Sequence, residues 1–126
     1  MIVLDACVLI SHFGSGDTHS DQALEILVHE EELLVHPLTL AEVLVGAVKQ
    51  GVSGQLIEAL GTIGIEQADV NDVSPLELAA YRVEDGLKMP DCCVLGLAVK
   101  HGATLATFDA KLAKAGRNHG LEVMGA

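Results

Sequence analysis

The stretch "MPDCCVLGLAVKHGATLATFDAKL", residues 89–112, decides the fold. Small and apolar residues run from Cys92 to Val99 and stop at Gly102, the kind of residue that ends a helix, so a helix is predicted from near Asp91 to Gly102. "ATLAT" then reads as a short strand, and "DAKLAKAG" as a new helix that starts almost at once. Helix, strand and helix joined this tightly point to strands laid side by side with helical crossovers.

The same alternation continues outward in both directions. "IVLD" is a β-branched run suited to a buried strand, and "DACVLISHF" turns directly into a helix. In "DQALEILVHE" the residues Ala23, Leu24, Leu27 and Val28 recur at helical spacing, and "ELLVHP" is a second strand ended by Pro37. "TLAEVLVGAVKQG" is a helix with Thr39 as its expected N-cap and Gly51 past its end; "SGQLIEALGTIG" is another, capped by Ser53. "IEQADV" is a third strand, more polar than the others. "SPLELAAYRVEDG" combines a Ser74 cap, Pro75 in the first turn and Glu77 three residues after the cap, a strong helix start. "LEVM" is the last strand. The expected class is α/β, a three-layer α/β/α domain with a central parallel sheet, and residues 1–126 are expected to form a single domain.

Composition narrows the function. Half of the residues are apolar, no low-complexity tract or internal repeat occurs, and no uncharged stretch approaches the roughly 20 residues of a membrane-spanning helix. Residues 1–10 carry no Lys or Arg and are split by Asp5, unlike a secretion signal, so a cytoplasmic location with no membrane partner is expected. Cys7, Cys92 and Cys93 are odd in number and form no C-x-x-C pair, which suits reduced core thiols. The net charge of -11 is unevenly spread: residues 1–80 hold 13 acids and one basic residue, Lys49, whereas residues 81–126 hold six basic residues and five acids. A polyanion would approach the C-terminal part. Only Phe13, Tyr81 and Phe108 are aromatic, too few for a platform of stacked bases, so a nucleic acid would be held by its backbone.

In an open parallel sheet the strand C-termini and the helix N-termini share one rim, where ligands bind. Asp5 ends the first strand, Glu42 lies early in the helix after the second, Asp91 opens the helix at "MPDCC", and Asp109 follows "TLAT". Taken one at a time these acids have an ordinary explanation. Asp5, Asp91 and Asp109 suit N-caps, Glu42 with Thr39 suits a capping box, and the scattered histidines suit the surface. Taken together, carboxylates set among apolar neighbours with no local Lys or Arg beside Asp5 or Glu42 point to a divalent, oxygen-seeking cation, Mg²⁺ or Mn²⁺. Such ions serve phosphodiester hydrolysis. Zinc fits less well, since "HEEEL" at His29 lacks the second His of H-E-x-x-H; no phosphate-cradling glycine loop is present, and "GSGDTH" at Gly14 reads as a turn.

With those residues in place, "KMPDCCVLGLAVKHGATLATFDAKL" at 88–112 strongly resembles the C-terminal motif of PIN domains, "IVLDACVLI" the N-terminal motif, and "PLTLAEVLVG" the middle one with its single Glu. Size and motif order are closest to the VapC-type toxins of toxin–antitoxin modules. The resemblance implies that Asp5, Glu42, Asp91 and Asp109 bind the metal of an RNA-cleaving site, with Thr107 supporting them through its hydroxyl. It further implies a homodimer and a cognate antitoxin whose C-terminal segment blocks the acidic site, in a heterotetramer or larger assembly. Cys7 is a departure, because the family often has Ser, Thr or Asn there, and Ala110, Lys111 and Leu112 stand where some relatives carry a further acid.

Other readings compete. A degenerate PIN module that binds RNA or a protein partner without cutting would also suit the acidic surface. An aspartyl phosphatase would need a second Asp where Cys7 stands. RNA choice is expected to lie in loop shape and in Lys88, Lys111, Lys114 and Arg117, residues that otherwise serve solubility.

Overall fold

In the computed structural model of the chain, residues 1–14, 18–29 and 31–126 are described. The central parts of "GSGDTH" and Glu30 of "HEEEL" lie outside them. The order of elements is β1 (Ile2–Leu4), α1 (Ala6–Phe13), α2 (Ser20–Leu27), β2 (Leu33–Val35), α3 (Pro37–Lys49), α4 (Ser53–Ile63), β3 (Ile65–Gln67), a 3-10 turn (Val70–Asp72), α5 (Pro75–Asp85), α6 (Met89–His101), β4 (Thr104–Thr107), α7 (Ala110–Asn118) and β5 (Val123–Gly125). All strand pairs are parallel, in the order β3-β2-β1-β4-β5. The expected three-layer α/β/α class is what the chain adopts.

Each sheet face has its own core because alternate strand residues point to opposite sides. Val3, Leu34 and Leu105 face α5, α6 and α7, where they pack with Leu95, Leu97 and Leu112. Ile2, Leu4, Leu33 and Val35 face α1 to α4, where Leu9, Ile26, Val43 and Leu60 meet them. β1 is therefore covered on both sides, and Ile2, Val3 and Leu4 are all fully buried. Helix α6 lies so close to the segment before and within α5 that a Cβ on Gly96 would sit 2.6 Å from the Val73 side chain and 3.2 Å from the Tyr81 ring, which is why glycine stands there.

Several local expectations are corrected. α3 begins two residues before Thr39: His36 is its N-cap, its Nδ1 accepting from the Leu38 N–H, and Pro37 takes the first turn. His36 is buried, so it is not the surface residue expected. Thr39 sits inside the helix with its hydroxyl buried and unpartnered among the described residues, and no capping box with Glu42 forms. α4 is capped by Val52 without a side-chain bond, so Ser53 is its first residue rather than its cap. In α2 the buried face is Ala23, Ile26 and Leu27, leaving Leu24 and Val28 exposed, because spacing alone does not say which of two adjacent apolar rows meets the core. β3 ends at Gln67, where the chain turns into the 3-10 segment. The Ser74–Glu77 capping box and Pro75 in the first turn of α5 are as expected.

Candidate active site

The strand order runs outward from β1 to β3, then returns across the centre to β4. That reversal leaves a crevice between the C-terminal ends of β1 and β4, where open α/β sheets take their ligands. Asp5 is the residue after β1, Thr107 is the last of β4, and Asp109 is two residues beyond.

Asp5 is the floor of this crevice. It is buried, it is the N-cap of α1, and three donors converge on its carboxylate: the Ala6 N–H on Oδ1 at 2.8 Å, the Thr107 hydroxyl on Oδ2 at 2.7 Å, and the Cys7 thiol on Oδ2 at 3.2 Å. Thr107 is fully buried and also accepts from the Asp109 N–H at 3.0 Å. Asp109 in turn caps α7, its Oδ1 accepting from the Leu112 N–H at 3.0 Å. The capping explanation is thus correct for Asp5 and Asp109; capping uses Oδ1 of each, and Oδ2 of Asp5 takes the Thr107 and Cys7 donors. Asp91 does not cap: Lys88 is the N-cap of α6, and Asp91 lies within its first turn.

Glu42 and Asp91 are supported differently. Neither makes a hydrogen bond or ion pair among the described residues, and both have their pKa displaced. Burial, then the charges of Asp5, Asp109 and Glu42, push Asp91 up to about 6 against the pull of Lys88. Burial and the Asp5 charge raise Glu42 as well. These mutual effects place the four expected acids within one electrostatic neighbourhood at the rim. They descend from buried Asp5 through half-buried Asp91 to exposed Glu42 and Asp109. Among the described residues no three His, Cys, Asp or Glu side chains are already drawn into a metal-holding cluster.

Cys7, standing where Ser, Thr or Asn is common in the family it resembles, still makes polar contacts. Its thiol donates to Asp5 and its sulfur accepts from the Phe108 N–H at 3.3 Å, tying the start of α1 to the end of β4. Burial and the neighbouring Asp5 charge push it up to about 12, so it stays a thiol and a donor at neutral pH. Cys92 and Cys93 are buried free thiols of the core, as expected. Sequence reasoning did not single out Arg82, whose Nη1 donates to the Leu87 carbonyl at 2.8 Å and fixes the loop before α6; its place in the last turn of α5 was the available signal.

A doubly wound parallel sheet with acids gathered at its switch point is the frame of the PIN domain. The PIN domain profile matches residues 2–118, and the chain belongs to that family, whose members are generally nucleases. A chain of a toxin–antitoxin complex from Klebsiella pneumoniae is 31% identical, with 88% of each chain covered and a TM-score of 0.71. VapBC2 from Rickettsia felis, bound to a DNA fragment from their promoter, is 19% identical at a TM-score of 0.70, covering 98% of this chain and 97% of that one. FitAcB from Neisseria gonorrhoeae is 19% identical at a TM-score of 0.67, covering 98% and 96%. At that identity the last two show the fold alone. No curated protein sequence matches the chain. No helix among the described residues is long and apolar enough to cross a membrane.

Proposed function

We propose that the chain is a divalent-metal-dependent endoribonuclease and the toxin of a toxin–antitoxin pair, acting in the cytoplasm. The observation that carries this reading is a PIN-family fold whose switch point links Asp5 and the turn of Asp109 through the Thr107 hydroxyl, with Asp91 close enough to feel the charges of Asp5, Asp109 and Glu42. An all-oxygen, multiply anionic donor set suits Mg²⁺ or Mn²⁺, so the residues present fit such an ion. Asp5, Glu42, Asp91 and Asp109 would hold it. Once bound, the metal supplies a water of lowered pKa and neutralises charge on the phosphate. The chain's own part is positional. Thr107 and Cys7 keep the Asp5 carboxylate aimed, since both donate to the same oxygen. The Thr107 hydroxyl couples that oxygen to the turn carrying Asp109. Glu42, exposed and without a donor, is the acid able to orient a water or accept its proton.

A partner that blocks the site is supported by a groove of about 630 Å³ between α1, α3 and α4. Ile10, Phe13, Val45 and Val52 line it and are exposed, and Glu42 belongs to its wall. An antitoxin segment with an apolar face and a basic side chain would fill the groove and reach the acids. The toxin is proposed to work as a homodimer, joined into a heterotetramer or larger complex by its antitoxin.

Incubating the purified, antitoxin-free protein with RNA and Mg²⁺ or Mn²⁺, beside Asp5→Asn, tests the reading. Cleavage that needs the metal and is lost in the variant is expected. Cleavage without metal, or equal cleavage by both proteins, would sink the mechanism; RNA binding without any cleavage would leave a binding module.

A further inference from the structure

Six of the seven basic residues fall in 81–126, yet most of them are committed to the protein itself. Arg82 donates to the Leu87 carbonyl and Lys111 to the Gly86 carbonyl at 2.7 Å. Lys100 pairs with Asp72 at 3.1 Å, and Arg117 donates to the Ala126 carbonyl. Lys49, Lys88 and Lys114 remain without a hydrogen bond or ion pair among the described residues. Lys49 closes α3 at the end remote from the rim, about 18 Å along a helix that starts there. Lys114 lies on α7 more than a turn beyond Asp109. Lys88 alone stands at the acidic rim: it is the exposed N-cap of α6, three residues before Asp91 and on the same first turn.

The backbone that presents Lys88 is fixed. Gly86 adopts a φ of 66°, which permits the tight exit from α5, and Leu87 is fully buried behind it. The Leu87 carbonyl is held by Arg82 and, at 3.7 Å, by the Cys92 thiol, while Lys111 clamps the Gly86 carbonyl. Two cations thus anchor the loop while a third is left pointing outward beside carboxylates that would by themselves repel a polyanion. Lys88 is also the one charge that pulls Asp91 back toward ionisation, consistent with its place at the rim.

We infer that Lys88 is the side chain that seats a backbone phosphate of the RNA next to the acidic cluster, so that the strand enters over residues 86–88. This rests on the ribonuclease reading for its substrate, but it is separately measurable. Single-stranded, fluorescently labelled RNA is titrated in Mg²⁺ with the full chain carrying Asp109→Asn, which retains an N-cap residue while removing a site carboxylate. Adding Lys88→Gln is expected to weaken binding about five- to tenfold and to flatten the dependence of log Kd on log salt by about 0.7, the loss of one phosphate contact on a single strand. Lys88→Arg is expected to restore both, and Lys114→Gln to change neither. Equal affinity and slope with and without Lys88→Gln, or an equal loss from Lys114→Gln, overturns the inference. RNA binding that depends on Lys88, with no cleavage by the chain retaining Asp109, would defeat the ribonuclease reading and leave the contact standing. Cleavage whose KM ignores Lys88→Gln would do the reverse.

Discussion

Asp5 is held by donors from its own turn and from the end of β4, and Asp109 by the Leu112 N–H of the helix it caps, whereas Glu42 and Asp91 are held only by the helices that carry them. Both pairs look alike in sequence, as acids near helix starts. The structure divides them into a pinned pair that fixes geometry and an unsupported pair that carries uncompensated charge. The pinned pair lines the end of the sheet, and under the proposed function the unsupported pair would make a cation welcome there.

The largest effect that would sharpen this contrast is on activity. Asp5→Asn is expected to lower RNA cleavage by at least about a hundredfold, the scale of losing a group that stabilises charge in the transition state. Its loss of stability should be modest, because Asn also caps; single-turnover rates beside urea unfolding check both. Next comes the support of the pinned pair. Thr107→Val strands the Asp5 carboxylate and the Asp109 N–H without the shared hydroxyl, and is expected to destabilise by about 1–3 kcal/mol in urea, whereas Thr107→Ser is nearly neutral. Cys7→Ser should keep both bonds of the thiol and leave stability and cleavage close to those of the unmodified chain.

The unsupported pair predicts the opposite sign. An acid whose folded pKa is raised destabilises the fold once it ionises. For Asp91 that loss sets in as pH rises from about 4, near its unfolded value, to about 6. Asp91→Asn should therefore make the metal-free protein more stable at pH 7, by on the order of 1 kcal/mol once solvent screening of a half-exposed group is allowed for. It should also reduce the fall in melting temperature between pH 4 and 6. A pinned-pair variant that stabilised the metal-free protein in the same way would break the comparison.

The smallest effect lies at His36, whose pKa is lowered chiefly by burial. Its stabilisation is fully present above the unfolded value near 6.5 and is lost as pH falls from there through the lower folded value, where Nδ1 takes a proton and can no longer accept from the Leu38 N–H. His36→Asn, which caps without titrating, should lessen the loss of stability below pH 6.5 in melts across pH 5 to 8.

The sheet, its order of elements and the rim were legible because unbroken apolar runs and the glycine and proline stops are local signals. "MPDCCVLGLAVKHG" reads as a helix from its residues alone, and Gly102 closes it in the left-handed conformation. The caps of α3 and α4 were not legible, because His36 wins the cap of α3 through Pro37 and the end of β2, a tertiary circumstance. That the four acids lie near one another could be expected from the topology, but their division into two pairs could not. That division depends on the Thr107 hydroxyl, 102 residues from Asp5, and on the Cys7 thiol bridging to the Phe108 N–H.

The central claim is that uncompensated carboxylate charge at this rim binds a divalent cation. Calorimetric titration of Mn²⁺ into the metal-free protein at pH 7, repeated with Glu42→Gln and Asp91→Asn combined, tests it most directly. The account predicts saturable binding with release of protons from the wild-type protein, weakened at least about tenfold in the double variant. Binding of equal strength in both proteins, or none in the wild type, would contradict it.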